Sequence, residues 1–237
     1  RGGYSALEDR GITGTTAKRY DVTQKDGNTL FSYYNEDGER VAAKRRTPDK
    51  DFRTSGAWSS AGLFGQQAFR SNGLAITLTE GEFDAMSVHQ MFGSKYPAVS
   101  IKNGANNALK DAVAAYDYLD SFEKIYICFD SDKFGKAAAK EVANLFSGKA
   151  YIVSLGEHKD ANEMLQAGKS AEFVKAWWNA PLYKPDGIVD GSTLWEQVSK
   201  DLAEADVQYP FGELNKMTYG IRKGELVTVT AGSGLGK

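Results

Sequence analysis

The amino-acid sequence predicts an α/β protein, in which an α+β N-terminal part precedes a mainly parallel sheet with helices on both faces. Two observations lead to this prediction. From Leu74 onward, short apolar runs alternate with helix-favouring segments over short links, which is the pattern of β-α units. Two of these runs, Ile76–Thr79 and Ile125–Phe129, end directly before acidic residues. Ligands of open α/β sheets gather at the carboxyl ends of the strands, so this edge is the predicted functional site.

Composition narrows the class of protein. The chain has 237 residues, 41% of them hydrophobic and 25% charged, which predicts one or two soluble domains with a real core. Its net charge is −2, from 29 basic and 31 acidic residues, so any contact with nucleic acid must come from a local basic patch. No apolar run approaches the length of a membrane span, and residues 1–20 lack a signal-peptide core. A cytoplasmic protein without a membrane partner is expected.

The cysteine and histidine content bears on metal chemistry. Cys128 is the single cysteine and lies inside an apolar run, which fits a core thiol in a reducing compartment. With one cysteine and two histidines, a cysteine-rich structural zinc site is excluded within this chain.

The N-terminal part is predicted to hold short helices, with Thr13 as an N-cap, and then a β-hairpin. The strands are Leu30–Tyr34 and Val41–Ala43, and Asp37-Gly38 supplies the turn. The second strand of the hairpin and the residues after it carry six basic residues within fourteen positions: Arg40, Lys44, Arg45, Arg46, Lys50 and Arg53. They fit a solvated sheet edge, or cations that hold phosphates. Trp58, Phe64 and Phe69 follow, and their predicted role is packing rather than base stacking.

The β-α region is predicted as alternating strands and helices. The strands are Leu74–Thr79, Ala98–Ile101, Lys124–Phe129 and Ala150–Leu155, and the helices are Glu82–Phe92, Asn107–Phe122 and Phe134–Phe146.

Four acids stand at strand ends or strand-to-helix junctions of this region. Glu80 ends the first strand, Asp130 and Asp132 follow the third, and Asp160 precedes the next helix. Carboxylates gathered at one edge repel each other unless they bind a hard cation, and oxygen ligands suit Mg²⁺ with bridging phosphates. Each acid taken alone also fits a helix N-cap.

The C-terminal part is predicted to contain a helix at Ala171–Asn179, a linker at residues 180–191 and an amphipathic helix at Ser192–Ala205 that docks on a neighbouring domain or subunit. A strand at Leu226–Thr230 then leads into a glycine-rich loop that approaches a P-loop through Gly232, Ser233, Gly234, Gly236 and Lys237. Ala231 replaces a glycine of the strict motif, and no Ser/Thr follows the lysine, so we expect a fragment that cannot hydrolyse ATP at this loop.

Three motifs carry a resemblance to a known family. TEGEFDA, FDSDKFGKA and KDANEML resemble, in order and spacing, the acidic motifs of a Toprim domain. With a basic hairpin before them and a P-loop-like segment after them, the chain resembles the bifunctional primase–helicase of T-odd bacteriophages and its mitochondrial relative, Twinkle. The resemblance implies a basic N-terminal subdomain (1–73), a Toprim domain (74–168), a terminal helix and linker helix (169–207) and the start of a RecA-like helicase domain (208–237).

The resemblance also implies roles for individual residues. Glu80 resembles the glutamate of Toprim domains that acts as a general acid or base or binds a metal. Asp130 and Asp132 resemble the pair that holds Mg²⁺ or Mn²⁺. Asp160 matches an aspartate of the third acidic motif and is expected at the metal site. The residues expected to bind nucleotide or template are Lys44, Arg45, Lys50, Lys102 and Lys133. The zinc module and the ATPase domain of the family are absent from this sequence.

The expected function is a DNA primase core that makes short RNA primers from ribonucleoside triphosphates. The expected partners are a single-stranded DNA template, a ring hexamer assembled through helix 192–205, and the DNA polymerase of the replisome. Two alternatives stay open at this point. One is a catalytically silent scaffold that binds single-stranded DNA and loads a helicase ring, and the other is a Toprim phosphodiesterase.

Overall fold

The computed structural model describes residues 3–185, 199 and 205–234. The chain divides into two compact units, residues 1–186 and residues 187–237, and this boundary falls within the segment predicted as a linker. All of the predicted helix Ser192–Ala205 except residues 199 and 205 lies outside the described residues, as do the loop residues Gly236 and Lys237. No helix in the described ranges is long and apolar enough to cross a membrane.

The first unit begins with a 3₁₀ turn, a short helix and an antiparallel sheet. These elements are the turn Glu8–Arg10, helix α1 (Gly14–Arg19) and strands β1 (Val22–Lys25), β2 (Asn28–Tyr34), β3 (Arg40–Arg46) and β4 (Phe52–Gly56), paired in the order β1-β2-β3-β4. Thr13 caps α1 by accepting a 3.3 Å hydrogen bond from the Thr16 amide, as predicted. The predicted hairpin is also confirmed, with Gly38 at a positive φ of 78° in its turn.

Aromatic residues join this antiparallel sheet to the rest of the first unit. Phe31 and Tyr33 are fully buried on one face of β2, and Phe64 packs edge-on against Phe31. Trp58 and Phe69 are partly buried against the same core. The packing role predicted for Trp58, Phe64 and Phe69 is therefore confirmed.

A four-stranded parallel sheet with order β6-β5-β7-β8 follows. Its strands are β5 (Ala75–Thr79), β6 (Ala98–Ser100), β7 (Lys124–Cys128) and β8 (Ala150–Ile152). The helices of this region are α2 (Glu82–Met91), α3 (Ala108–Ala114), α4 (Tyr116–Asp120), α5 (Lys133–Leu145), α6 (Ala161–Gln166) and α7 (Ser170–Trp178).

Both faces of the parallel sheet are covered, as predicted. In β7, Ile125 and Ile127 pack into the apolar cluster on the α3 and α5 side, whereas Tyr126 and Cys128 point into the opposite cluster with α2 and α7. On that side Trp177 stacks on Tyr126, with ring centroids 3.5 Å apart. Successive side chains of β7 point to opposite faces of the sheet, and both faces are buried. Its sequence is therefore one continuous apolar run.

Two sequence predictions in this region are wrong in their extent. The helix predicted at Asn107–Phe122 consists of a 3₁₀ turn, α3 and α4, interrupted at Ala115 (φ −107°, ψ 22°). Tyr116 then stacks on Phe146 at 5.3 Å, so tertiary packing overrides local helix propensity. The strand predicted at Ala150–Leu155 is shorter and ends at Ile152; the Val153 amide makes one more backbone hydrogen bond to β7, at the Ile127 carbonyl (2.9 Å).

The second unit contains helix α8 (Gly212–Thr218) and a bridge between Val207 and Ile221. The strand predicted at Leu226–Thr230 is wrong: these residues form no strand, and Leu226 is 92% exposed. No described segment pairs with them, and an isolated strand leaves its backbone donors and acceptors unpaired.

Candidate active site at the carboxyl edge of the parallel sheet

The strand order places the acidic residues at a topological switch point. From β5 the chain passes through α2 to β6 on one side of β5, and it later returns to β7 on the other side. The crevice between the carboxyl ends of β5 and β7 is where ligands of open α/β sheets bind. Glu80 follows β5 directly, and Asp130 comes two residues after β7, so the fold brings both to this crevice.

Glu80 and Asp130 are close enough to interact. The Asp130 amide donates a 3.4 Å hydrogen bond to Oε2 of Glu80. Burial raises the pKa of the Glu80 carboxyl, and the charge of Asp130 raises it further. Burial likewise raises the pKa of Asp130, although the Lys159 ammonium, 3.3 Å from its Oδ2, acts in the opposite direction. The two carboxylates therefore lie in a crevice that disfavours their combined negative charge.

A second loop is tied to the Asp130 turn. Ser131 donates from its amide to the carbonyl of Lys159 (2.8 Å) and from its hydroxyl to the carbonyl of His158 (2.7 Å). These bonds hold the segment before α6, which includes Lys159 and Asp160, beside the end of β7. As a result, Asp160 contributes to the raised pKa of Asp130.

Asp132 and Asp160 are helix N-caps as well as members of the acidic edge. Oδ1 of Asp132 accepts from the Gly135 amide at 2.8 Å, and Oδ1 of Asp160 accepts from the Glu163 amide at 2.8 Å. Each cap occupies one carboxylate oxygen. Each of these two acids therefore caps a helix and also adds negative charge to the acidic edge, so the two interpretations do not exclude each other.

The carboxylates at this edge could supply part, but not all, of the ligands of a hard cation. Among the described residues, no three acidic, histidine or cysteine side chains converge into a complete metal-ligand set. The structure instead places the Glu80 carboxylate beside the Asp130 amide and within electrostatic range of the Asp130 and Asp132 carboxylates, with Asp160 on the adjoining loop. Mg²⁺ is commonly held by one or two carboxylates, with water and substrate phosphates completing the shell. The residues present are thus compatible with Mg²⁺.

The predicted basic residues fall into different environments. Lys44 faces the parallel sheet, and its ammonium lies 2.7 Å from Oε1 of the buried Glu82. The Tyr33 hydroxyl donates to the same oxygen at 2.6 Å. Arg45 points to the opposite face of the antiparallel sheet, where it lines a separate cavity, and Lys50 stands exposed in the β3–β4 turn. The structure therefore does not bring Lys44 and Arg45 to one site.

The other two predicted lysines also differ from each other. The Lys102 ammonium donates to the carbonyls of Trp58 (3.2 Å) and Ala61, and burial lowers its pKa. Lys133 is exposed in the first turn of α5, next to Asp132. Of the P-loop-like residues, Gly232, Ser233 and Gly234 are exposed in the second unit.

Sequence reasoning missed a buried polar network beneath the acidic edge. Asp84 is buried in α2, and its Oδ1 accepts from the Asn162 amide at 2.9 Å. The Asn162 side chain donates to the Arg10 carbonyl and to the Ser87 hydroxyl, both at 2.9 Å. Burial raises the pKa of Asp84 well above its usual range. The sequence did hold a signal for this network: Asp84 and Asn162 are polar residues inside the acidic motifs, at helix positions that face the core.

The fold and the acidic edge define a Toprim-type domain. A family model described as "Toprim-like" matches residues 77–165, a range that includes Glu80, Asp130, Asp132 and Asp160.

Comparisons with known proteins narrow this class. The chain is 36% identical over 244 residues to the DNA helicase/primase of Enterobacteria phage T3; the match covers all of this chain and 43% of that protein. A crystal structure of the primase fragment of the bacteriophage T7 primase-helicase has 37% identity and a TM-score of 0.69, with 74% of each chain covered. A T7 structure of lagging-strand DNA polymerase with primase domains also has 37% identity and a TM-score of 0.69, covering 76% of this chain and 93% of that one.

These matches show the family. The chain belongs to the bacteriophage primase–helicase family and carries the DNA primase core of that family. It spans less than half the length of the T3 relative.

Proposed function

We propose that this chain catalyses template-directed synthesis of short RNA primers on single-stranded DNA. In this reaction a ribose 3′-hydroxyl attacks the α-phosphorus of an incoming ribonucleoside triphosphate. A phosphodiester bond forms, pyrophosphate leaves and the hydroxyl proton is lost. The observation that carries the proposal is the convergence of Glu80 and Asp130 at the switch point of the parallel sheet. Such a crevice is where a ligand of this fold binds.

The acidic residues have separate proposed tasks. Asp130 and Asp132, with Glu80 and Asp160 beside them, would hold Mg²⁺ or Mn²⁺. A cation held there would supply positive charge to offset the triphosphate and the charge that develops on phosphorus. Glu80 is the proposed acceptor of the hydroxyl proton. Its pKa is raised by burial and by Asp130, and a carboxylate with a higher pKa is a better general base.

The cations are proposed to hold phosphates. Lys44 lies on the face of the antiparallel sheet that packs against α2. Its ion pair with Glu82 holds its ammonium group on that face. Lys50 and Lys133 are exposed, and a nucleotide or template strand can reach them. Lys102 is engaged by two backbone carbonyls, so we assign it to holding the segment Trp58–Ala61 in place.

The proposed partners follow from the relatives. The T7 structure contains a lagging-strand DNA polymerase interacting with primase domains of two subunits bound to an RNA/DNA hybrid and dTTP. We propose the same kinds of partner for this chain: a DNA template, its RNA product and a replicative DNA polymerase. Assembly of the whole protein into a ring hexamer through helix 192–205 is part of the proposal, as is a cytoplasmic location.

The test is synthesis of labelled oligoribonucleotides from ATP and CTP on mixed-sequence single-stranded DNA with Mg²⁺. Wild type is compared with Asp130→Asn/Asp132→Asn and with a control, Asp37→Asn/Asp117→Asn, which changes two exposed acids outside the proposed site. Product from wild type and control, and none from the site variant, supports the proposal. If wild type is silent, a preformed dinucleotide is supplied. Failure to extend it would favour the scaffold alternative.

A further inference from the structure

Helix α5 carries an unusual distribution of charge. Lys133, Lys136 and Lys140 are exposed and spaced i, i+3 and i+7, which places them on one flank of the helix. The first turn contains no acidic residue and the last turn no basic residue. The N-cap Asp132 is favourable to the helix dipole, but Lys133 places a cation in the first turn, where the dipole disfavours it, and no cation balances the C-terminus.

This arrangement works against the stability of α5. Like charges three or four residues apart repel each other, and a cation in the first turn opposes the dipole; each effect costs a few tenths of a kcal/mol. Within the part of the chain that the structure describes, no acidic side chain forms an ion pair with these lysines. Local rules that are broken in this way point to a functional surface.

A cavity opens on the same flank. It has a volume of about 220 Å³, and its walls are formed by Lys136 and Lys140 of α5, by Asp130 and Ser131, and by the segment Val153–Gly156 after β8. Gly135 keeps the helix close to the end of β7, because a Cβ at this position would collide with the Asp130 carbonyl. The cavity therefore adjoins the acidic crevice, on the side away from the antiparallel sheet and its basic residues.

The chemistry of this cavity selects an extended anion. Its wall carries two ammonium groups, of Lys136 and Lys140, against one carboxylate, of Asp130, so a net positive charge remains to complement phosphate oxygens. Lys133 and Lys140 are seven residues apart, which is about 10 Å along a helix with a rise of 1.5 Å per residue. A nucleic-acid strand carries a phosphate about every 3.4 Å of duplex rise, so this length can meet more than one phosphate.

We propose that Lys136 and Lys140 bind the phosphodiester backbone of a nucleic-acid strand that runs past Asp130 along α5. The proposal rests on the proposed primase function, since it deepens the binding of nucleic acid at the same edge. Template DNA and RNA product share this chemistry, and the experiment separates them. Lys133 is the member of this row of three lysines nearest the acidic residues, and it would contact the same nucleic-acid strand.

The experiment measures binding of this chain, in EDTA, to fluorescent single-stranded DNA, single-stranded RNA and an RNA–DNA hybrid by anisotropy. Lys136→Gln/Lys140→Gln is compared with the control Lys18→Gln/Lys175→Gln, which removes the same charge from exposed positions on α1 and α7. Each single-strand phosphate contact contributes about 0.7 to the slope of log K against log salt. Loss of two contacts should lower the slope by about 1.4 and weaken binding about 25-fold at 0.1 M salt.

The outcomes are distinct. A loss on single-stranded DNA assigns the surface to the template, and a loss on RNA or on the hybrid alone assigns it to the product. Equal affinities and equal salt slopes for the site and control variants would overturn the inference. Synthesis is measured separately. If wild type makes no primers while Lys136→Gln/Lys140→Gln still loses binding, the proposed function fails and the binding surface stands.

Discussion

Glu82 is the shared partner of two groups that join the antiparallel sheet to the Toprim domain, so replacing it by alanine tests how that junction is held. Its carboxylate is 8% exposed and accepts from Lys44 at 2.7 Å and from the fully buried Tyr33 hydroxyl at 2.6 Å. Removing one partner of a buried ion pair costs about 3–5 kcal/mol. The Lys44 side chain is 16% exposed, which places this loss near the low end, about 3 kcal/mol.

The tyrosine adds a second loss. An unpaired buried hydroxyl costs about 1–3 kcal/mol, and taking about 1 for Tyr33 brings the expected destabilisation to about 4 kcal/mol. For a chain of this size that corresponds to a fall in Tm of about 8–16 °C. Urea unfolding followed by tryptophan fluorescence measures the free energy of unfolding, and calorimetry measures Tm. Glu36→Ala, at an exposed position of the β2–β3 turn, is the control and should change stability by less than about 0.5 kcal/mol.

A double variant separates the ion pair from simple loss of contacts. Glu82→Leu/Lys44→Met replaces both charges by apolar groups and should recover at least about 2 kcal/mol relative to the sum of the single variants, because neither charge is left buried alone. Primer synthesis should stay low in the double variant, since the proposed phosphate contact of Lys44 is gone. The reasoning is refuted if Glu82→Ala costs less than about 1 kcal/mol, or if the double variant shows the additive loss.

Three further predictions concern the core beneath the site. Asn162→Ala should cost about 2–3 kcal/mol in urea unfolding, because the Arg10 carbonyl and the Ser87 hydroxyl lose their partner; a change below about 0.5 kcal/mol would contradict the network. For Asp84, the folded protein holds the proton more tightly than the unfolded chain, so wild-type stability in EDTA should fall as pH rises from the unfolded pKa near 4 toward the raised folded value. Asp84→Asn should flatten this dependence of Tm on pH, and parallel Tm curves would rule the explanation out. Trp177→Phe should lose about 1–2 kcal/mol by calorimetry, since the indole no longer donates to Thr77 at 2.9 Å; an unchanged Tm would show that this bond contributes nothing net.

The order of elements could be predicted from the sequence because the central strands are buried on both faces. Such strands leave continuous apolar runs, as at Ile76–Thr79 and Ile125–Phe129, and the acids after them then mark one edge of the sheet. Helix propensity could not show the interruption at Ala115, because it depends on packing against Phe146 from a later helix. The extent of β8 likewise depends on its pairing with the neighbouring strand β7, which the sequence of β8 alone does not show.

The environments of the basic residues were less predictable than the acidic edge. Lys44 meets Glu82 across 38 positions of sequence, and Lys102 reaches the carbonyls of Trp58 and Ala61 across 44 and 41 positions. No local pattern encodes such partners. The alternation of β3, by contrast, could have separated Lys44 from Arg45, since neighbouring residues of a strand point to opposite faces.

The parallel strands also give the domain a far end, opposite the acidic edge, at which we expect an insertion to do least harm. The turns that enter β7 and β8 meet at the amino edge of the sheet, a strand length away from Glu80 and Asp130. Ser147 and Gly148 are exposed in one of these turns, where Gly148 has a φ of 89°. A peptide tag or a dye-bearing loop inserted between Ser147 and Gly148 would open the turn that two hydrogen bonds to the Phe146 carbonyl close, but it would do so at the end of the sheet remote from the crevice. The chain could thus be immobilised or labelled from that end, with its acidic edge open to nucleotide and template.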